Sequence, residues 1–139
     1  DAVHAIRALK ERDSQKPMIV LVATMRDLER CGIRPSKEHA DFLKRVWPGP
    51  VSVVFAQAQS QLGHIAYNDT LAVRMPLRED LLAFISRVGP IVSTSANISG
   101  QKPATTLDEV RAQFEEELFA AVDTGTCDNP PSSVVQILR

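Results

Sequence analysis

The sequence lacks a long hydrophobic run and a set of paired cysteines. The stretch from Met18 to Thr24 has only the length of a strand, whereas a membrane span needs roughly 20 apolar residues. Cys31 and Cys127 lie far apart, without the spacing of a disulfide framework or a zinc site. These absences exclude a membrane partner and a cysteine-stapled scaffold, and they predict a soluble protein of a reducing cytoplasm.

Sequence motifs for common catalytic and phosphate sites are also absent. Neither a G-x-x-x-x-G-K-[ST] loop nor a G-x-G-x-x-G turn occurs, so phosphate binding would need a less common kind of site. His4, His39 and His64 occur in separate segments, and none has the cysteine or carboxylate spacing of a metal site or a triad. The sequence therefore predicts no protein-held metal and no catalytic nucleophile.

The composition is that of a packed globular domain with its charges unevenly distributed. The chain has 139 residues, of which 44% are hydrophobic, and its net charge is −1. Residues 1–50 carry ten Lys and Arg against seven Asp and Glu, whereas residues 101–139 carry three against seven. We expect a single domain over residues 1–139, with an early basic region too weak to indicate nucleic-acid binding by charge alone.

Hydrophobic patterning predicts alternating strands and helices, and hence a layered α/β domain with a mixed sheet. Pro-rich links and short strands argue against a purely parallel sheet. The predicted helices are residues 1–11, 27–30, 36–47, 78–88 and 106–118, with caps at Ser36 and Thr106. The predicted strands are residues 18–23, 51–58, 71–74, 90–92, 119–123 and 133–138.

The most informative segment is the polar turn, Ser93 to Gly100, which follows the apolar run Pro90-Ile91-Val92. Hydroxyls, an amide and a glycine in one turn after a strand are suited to gripping a polar ligand at the edge of an α/β sheet. The alternative is a loop whose side chains only satisfy their own backbone.

Two groups of cations are candidates for binding anions. The first group precedes a predicted central strand and consists of Lys10, Arg12 and Lys16. The planar guanidinium and the lysine ammonium groups are suited to binding the oxygens of a polyphosphate. The alternative is an exposed helix C-terminus, where the helix dipole favours cations in any case. Arg74 lies in an apolar strand, where a guanidinium needs an anionic partner, either a protein carboxylate or a ligand carboxylate. Thr70 precedes the same strand and offers a hydroxyl nearby.

Six ordered motifs together resemble the YrdC-like threonylcarbamoyl-AMP synthase family. The resemblance covers essentially the whole chain and implies an open, twisted, mixed α/β sheet with flanking helices. The motifs are Lys10-x-Arg12, Lys16-Pro17, Trp47-Pro48-Gly49-Pro50, Ala72-Val73-Arg74-Met75-Pro76, the polar turn and Ser132-Ser133-Val134-Val135.

The resemblance implies a nucleotidyltransferase that joins L-threonine with bicarbonate and adenylates the product with ATP, for N6-threonylcarbamoyladenosine in tRNA. Mg²⁺ would bridge the phosphates. Further implied partners are tRNA or double-stranded RNA and other proteins of the same modification pathway. The implied ATP contacts are Lys10, Arg12, Lys16, Thr70, Ser95, Asn97 and Thr105, and the implied L-threonine contacts are Arg74, Ser93 and Ser132.

The chain departs from the family pattern at both ends, and three other functions stay open. The family's first strand, with its Thr- and Tyr-containing loop, and its basic C-terminal extension have no counterpart here, so we expect a shortened member. Gln136 also stands where Asp is common. The alternatives are a non-catalytic RNA-binding relative, a carbamoyl-transfer module as in hydrogenase-maturation proteins, and a YciO-like paralogue.

Overall fold

A computed structural model describes residues 2–13, 16–56, 65–66, 68–114 and 118–137. The chain divides into two compact units. Unit 1 comprises Asp1–Lys16 and Thr94–Pro130, and unit 2 comprises Pro17–Ser93 and Pro131–Arg139. Each unit therefore takes residues from two separate parts of the sequence.

A five-stranded mixed sheet forms the centre of unit 2. Its strands are β1 (Ile19–Leu21), β2 (Val51–Ala56), β3 (Thr70–Arg74), β4 (Ile91–Ser93) and β5 (Ser133–Gln136), in the order β4-β1-β3-β2-β5. The β1–β3 and β2–β5 pairs are parallel, whereas β1–β4 and β2–β3 are antiparallel. The open mixed sheet predicted from the sequence is confirmed.

The two faces of this sheet differ in burial. Val53 pairs with Val73, and Phe55 pairs with Leu71, and all four side chains are at most 4% exposed. Because side chains alternate along a strand, Ala72 and Val54 point the other way, and both are half-buried. One face is thus the apolar core, and we call the other the open face.

The described residues of unit 2 include three helices, namely α2 (Asp27–Arg30), α3 (Lys37–Val46) and α4 (Glu79–Val88). The Ser36 hydroxyl accepts a hydrogen bond from the His39 N–H at 3.2 Å, which confirms the predicted cap of α3. Leu43 is fully buried on the inner side of α3, and Trp47 ends the helix.

Unit 1 contains α1 (Ala2–Leu9) and α5 (Leu107–Phe114). Glu11 has a left-handed φ of 48°, and the Arg12 N–H donates to the Arg7 carbonyl at 2.9 Å, so the chain turns sharply after α1. The Thr106 hydroxyl caps α5 by accepting from the Glu109 N–H at 3.2 Å, as predicted. No helix among the described residues is both long and apolar enough for a bilayer span.

One predicted strand is wrong. Residues 119–123 form no strand, and both Phe119 and Val122 are largely exposed. A short apolar run becomes a strand only where a neighbouring strand pairs with it and a core covers it, and neither condition holds here. The predicted ends of β2 at residues 57–58, of α5 at 115–117 and of β5 at 138 lie outside the described residues.

Candidate functional site

The early basic segment and the polar turn meet in unit 1. The Lys10 ammonium donates to the carbonyls of Ser95 and Asn97, and the Ser99 N–H donates to the Lys10 carbonyl at 2.8 Å. Lys10 is only 4% exposed, and its ammonium lies 5.6 Å from the centre of the Phe114 ring. One lysine therefore anchors the turn from two directions.

Lys10 retains capacity for a ligand. An ammonium has three donors, and two of them serve the carbonyls of Ser95 and Asn97. Within the described segments the third N–H has no hydrogen-bond acceptor. Burial lowers the pKa of Lys10, and the positive charge of Arg12 lowers it further. An anion beside this group would offset both effects.

Arg12 extends the positive charge around Lys10, whereas Lys16 does not. Arg12 is half-buried, and its pKa is lowered by burial and then by the charge of Arg7. Lys16 is exposed, and its side chain makes no hydrogen bond or ion pair with the described residues of the polar turn. The cation cluster of unit 1 thus consists of Arg7, Lys10 and Arg12.

Asn97 presents an acceptor rather than a donor. It is 8% exposed, and its side-chain amide donates to the carbonyls of Ile98 and Gln101 at 2.8 and 3.0 Å. Its Oδ1 is buried without a hydrogen-bond partner. This one buried amide oxygen is not by itself a Mg²⁺ site, and the described residues contain no cluster of His, Cys, Asp or Glu that could bind a metal ion. Ser95 is exposed.

Thr105 borders a cavity of about 170 Å³ in unit 1. Its N–H and hydroxyl both donate to the Glu109 carboxylate, at 2.6 and 3.1 Å. The hydroxyl hydrogen is therefore used, and the hydroxyl oxygen can still accept a hydrogen bond from another group. These bonds lower the pKa of Glu109. The rest of the cavity wall combines apolar residues with polar ones, namely Ala96, Ala104, Leu107, Val110 and Val122 with Thr106, Asp123, Thr124, Gly125 and Cys127.

In unit 2 the predicted site residues share the open face. Ile19 pairs with both Ala72 and Ser93, which puts Ser93 on the face of Ala72. Thr70 and Arg74 are each two residues from Ala72, so they also lie on this face. Thr70 and Arg74 are about 13 Å apart along β3, at about 3.3 Å per residue.

Arg74 contacts the turn between α3 and β2, Trp47-Pro48-Gly49-Pro50, which we call the corner. Its Nε donates to the Gly49 carbonyl at 3.2 Å, and the Gly49 N–H donates to the Met75 carbonyl at 2.9 Å. Burial lowers the pKa of Arg74. Among the described residues no carboxylate pairs with its guanidinium.

Ser132 joins the open face through Ser52. The two hydroxyls are 2.9 Å apart, and Ser52 is fully buried two residues before Val54 on that face. A hydroxyl bonded in this way is oriented rather than free to rotate. The structure therefore brings Thr70, Arg74, Ser93 and Ser132 to one face of one sheet.

Sequence reasoning missed four residues that position these groups. Gln113 accepts from the Ile98 N–H at 3.0 Å and donates to the Lys102 carbonyl at 3.1 Å, which ties α5 to the polar turn. Arg7 precedes Lys10 by three residues, a spacing that puts both on one helix side. Phe114 and Ser52 carry no local sequence signal, because their roles depend on contacts distant in sequence.

Comparison with solved structures gives the class of the protein. Pyrococcus abyssi Sua5, solved in complex with L-threonine, matches with a TM-score of 0.89 and 32% identity, over 98% of this chain and 41% of that chain. The fold is therefore that of a Sua5-like open α/β sheet.

Sequence comparison gives the family. Residues 1–139 match the Sua5/YciO/YrdC family model, whose description is "Telomere recombination". The chain is 38% identical over 125 residues to threonylcarbamoyl-AMP synthase of Yersinia enterocolitica, covering 84% of the chain and 64% of that relative. It is 36% identical over 135 residues to threonylcarbamoyl-AMP synthase of Klebsiella pneumoniae, covering 93% and 70%. The chain belongs to the Sua5/YciO/YrdC family and spans less than two thirds of the first relative's length.

Proposed function

We propose that this chain acts in the ATP-dependent synthesis of L-threonylcarbamoyl-AMP from L-threonine and bicarbonate. The threonine nitrogen forms a bond to the carbon of bicarbonate, with loss of water, and gives a carbamate. A carbamate oxygen then attacks the α-phosphorus of ATP, and pyrophosphate leaves. The proposal is supported by the similarity to the threonylcarbamoyl-AMP synthases of Y. enterocolitica and K. pneumoniae and by the L-threonine complex of the P. abyssi protein.

The single observation that carries the proposal is the contact of Lys10 with the polar turn. The buried Lys10 ammonium has one N–H donor left and lies near Arg12 and Arg7, so it is suited to the negative oxygens of a nucleoside triphosphate. Attack on phosphorus needs charge neutralisation and positioning rather than a protein nucleophile. The residues of unit 1 supply both.

The cavity beside Thr105 suits the adenine base. It borders Ala96, the residue between Ser95 and Asn97, and its walls are largely apolar. The Thr105 hydroxyl, which donates to Glu109, presents its oxygen as an acceptor for the adenine amino group. We assign ATP contacts to Lys10, Arg12, Ser95 and Thr105, and Lys16 and Thr70 stay predictions.

Mg²⁺ is part of the proposal: it would come with the ATP phosphates, whose charge it would neutralise, and would need few protein ligands of its own. The Asn97 amide hydrogens are already committed to carbonyls, and its Oδ1 is a buried acceptor without a hydrogen-bond partner among the described residues. The proposed ATP contact of Asn97 would therefore use its oxygen and not its amide hydrogens.

The open face of unit 2 supplies the amino-acid contacts in this proposal. The Arg74 guanidinium has N–H donors beyond the one that serves Gly49, and these would pair with the threonine carboxylate. Ser132, oriented by Ser52, and Ser93 offer hydroxyls on the same face for the amine or the side-chain hydroxyl. None of these groups needs to titrate near neutral pH.

The test is product formation from radiolabelled ATP, L-threonine, bicarbonate and Mg²⁺, followed by separation of the adenylate. We expect a threonine-dependent adenylate and equimolar pyrophosphate. Absence of both, with folded protein and saturating substrates, would reject the proposal. RNA binding stays a prediction.

A further inference from the structure

Unit 2 contains a second cavity, which the proposed function does not use. Its volume is about 200 Å³, and its walls include Ile33, Arg34, His39, Phe55, Ala56 and Ile137. Phe55 lies on the core face of the sheet, opposite to the face of Arg74. It is also near the end of β2, whereas Arg74 is at the end of the antiparallel neighbour β3. The cavity is therefore remote from the proposed threonine contacts.

The walls of this cavity combine an apolar floor with a positive rim. Ile33 and Phe55 are each 4% exposed and form the floor. Arg34 is exposed, and within the described part of the chain its side chain has neither an ion pair nor a hydrogen bond. His39 is half-buried and offers imidazole nitrogens. Among the described residues, no acidic side chain lines the cavity.

The start of α3 adds to the positive potential at the rim. Pro35 and His39 both line the cavity: Pro35 precedes the N-cap Ser36, and His39 lies in the first turn of this ten-residue helix. Helix N-termini favour negative charge through their partial positive charge. Glu38 lies in the same turn but outside the cavity wall. Three features of the cavity thus favour an anion: the guanidinium of Arg34, which has no ion pair among the described residues, the imidazole, and the helix end.

We propose that this cavity binds a small organic anion, a carboxylate carried by a compact apolar group. Arg34 and His39 hold the carboxylate, and the apolar group packs on Ile33 and Phe55. The guanidinium suits a planar carboxylate because it presents paired donors. This inference is independent of the proposed synthase activity, since none of these residues is assigned to ATP or threonine.

The test is an NMR titration of the isotope-labelled chain with benzoate, with benzyl alcohol and benzylamine as probes of matched shape. Backbone amides of Gly32, His39 and Ile137 are monitored. We expect benzoate alone to shift these signals in a saturable way. No shift with benzoate, or equal binding of the alcohol or amine, would overturn the proposal.

Two variants identify the group that holds the anion. Arg34→Gln is expected to weaken benzoate binding at least about tenfold, the size of one charge-assisted contact. Lys37→Gln, which removes a neighbouring exposed cation outside the wall, is expected to change it less than about twofold. Equal losses in both variants would contradict a specific site. Inorganic phosphate binding as tightly as benzoate would contradict the role of the apolar floor.

Discussion

Arg74 tests the assignment of amino-acid binding at the scale of a single residue. Arg74→Ala removes the unpaired guanidinium donors and is expected to weaken L-threonine binding about tenfold or more, since charge-assisted hydrogen bonds contribute about 1.5–3 kcal/mol each. ATP binding is expected to change much less. Calorimetric titration with each ligand measures both. Arg87→Ala, at an exposed arginine in the last turn of α4, is the control. Equal loss of both ligands would refute the assignment.

The two cysteines differ sharply in environment. Burial raises the pKa of Cys31 to about 11, with a further increase from Asp27 and a decrease from Arg30, whereas Cys127 is exposed. An unfolded thiol ionises at about 8.5, so between that pH and about 11 the folded state keeps a proton that the unfolded state loses. The stability contribution of Cys31 is full below this window and is lost as pH rises through it.

This difference predicts that Cys31, and not Cys127, makes the free energy of unfolding fall as the pH rises. Urea unfolding at about pH 8 and about pH 10.5 is expected to show a larger fall in the free energy of unfolding for the wild type than for Cys31→Ala. Cys127→Ser should behave as the wild type. An identical pH dependence in Cys31→Ala would contradict the burial argument.

At the scale of elements, the corner between α3 and β2 fixes the position of Arg74. A Cβ added at Gly49 would lie 2.4 Å from the Val46 carbonyl oxygen, and neighbouring backbone cannot move aside cheaply. Gly49→Ala is therefore expected to lower the free energy of unfolding by about 1–3 kcal/mol. It should also weaken threonine binding, because the Gly49 carbonyl accepts from Arg74.

Gly125→Ala provides the comparison for this corner. Gly125 has a φ of +82°, but nothing lies within 4 Å of an added Cβ, so only backbone strain of about 1 kcal/mol is expected. Thermal and urea unfolding of both variants measure the difference. A smaller loss for Gly49→Ala than for Gly125→Ala would show that the close approach to Val46 is unimportant.

Elements with local signals were predictable, and those that depend on distant partners were not. Ser36 and Thr106 each cap the helix that the sequence assigned to them. The reciprocal bond at α5 differs in detail, because the Glu109 carboxylate accepts from the N–H and hydroxyl of Thr105, one residue before the cap. Residues 119–123 have strand-like composition but no strand to pair with, and pairing cannot be read from composition.

At the scale of the whole molecule, sequence motifs predicted the candidate site residues, but the arrangement of these residues could be seen only in the fold. The open face of Thr70, Arg74, Ser93 and Ser132 follows from strand order and register, which bring together residues up to sixty-two positions apart in the chain (132 − 70 = 62). Motif spacing also did not predict that the Asn97 amide donors are already used. Contacts of this kind depend on packing and not on local sequence.

The central claim is that unit 1 binds a nucleotide through its cation cluster and the polar turn. Calorimetric titration of the 139-residue chain with ATP and Mg²⁺ tests it most directly, with Arg12→Gln as the variant and the exposed Lys102→Gln as the control. We predict saturable ATP binding that Arg12→Gln weakens about tenfold and Lys102→Gln leaves within about twofold. No ATP binding by the folded chain, or binding unaffected by Arg12→Gln, would contradict the account.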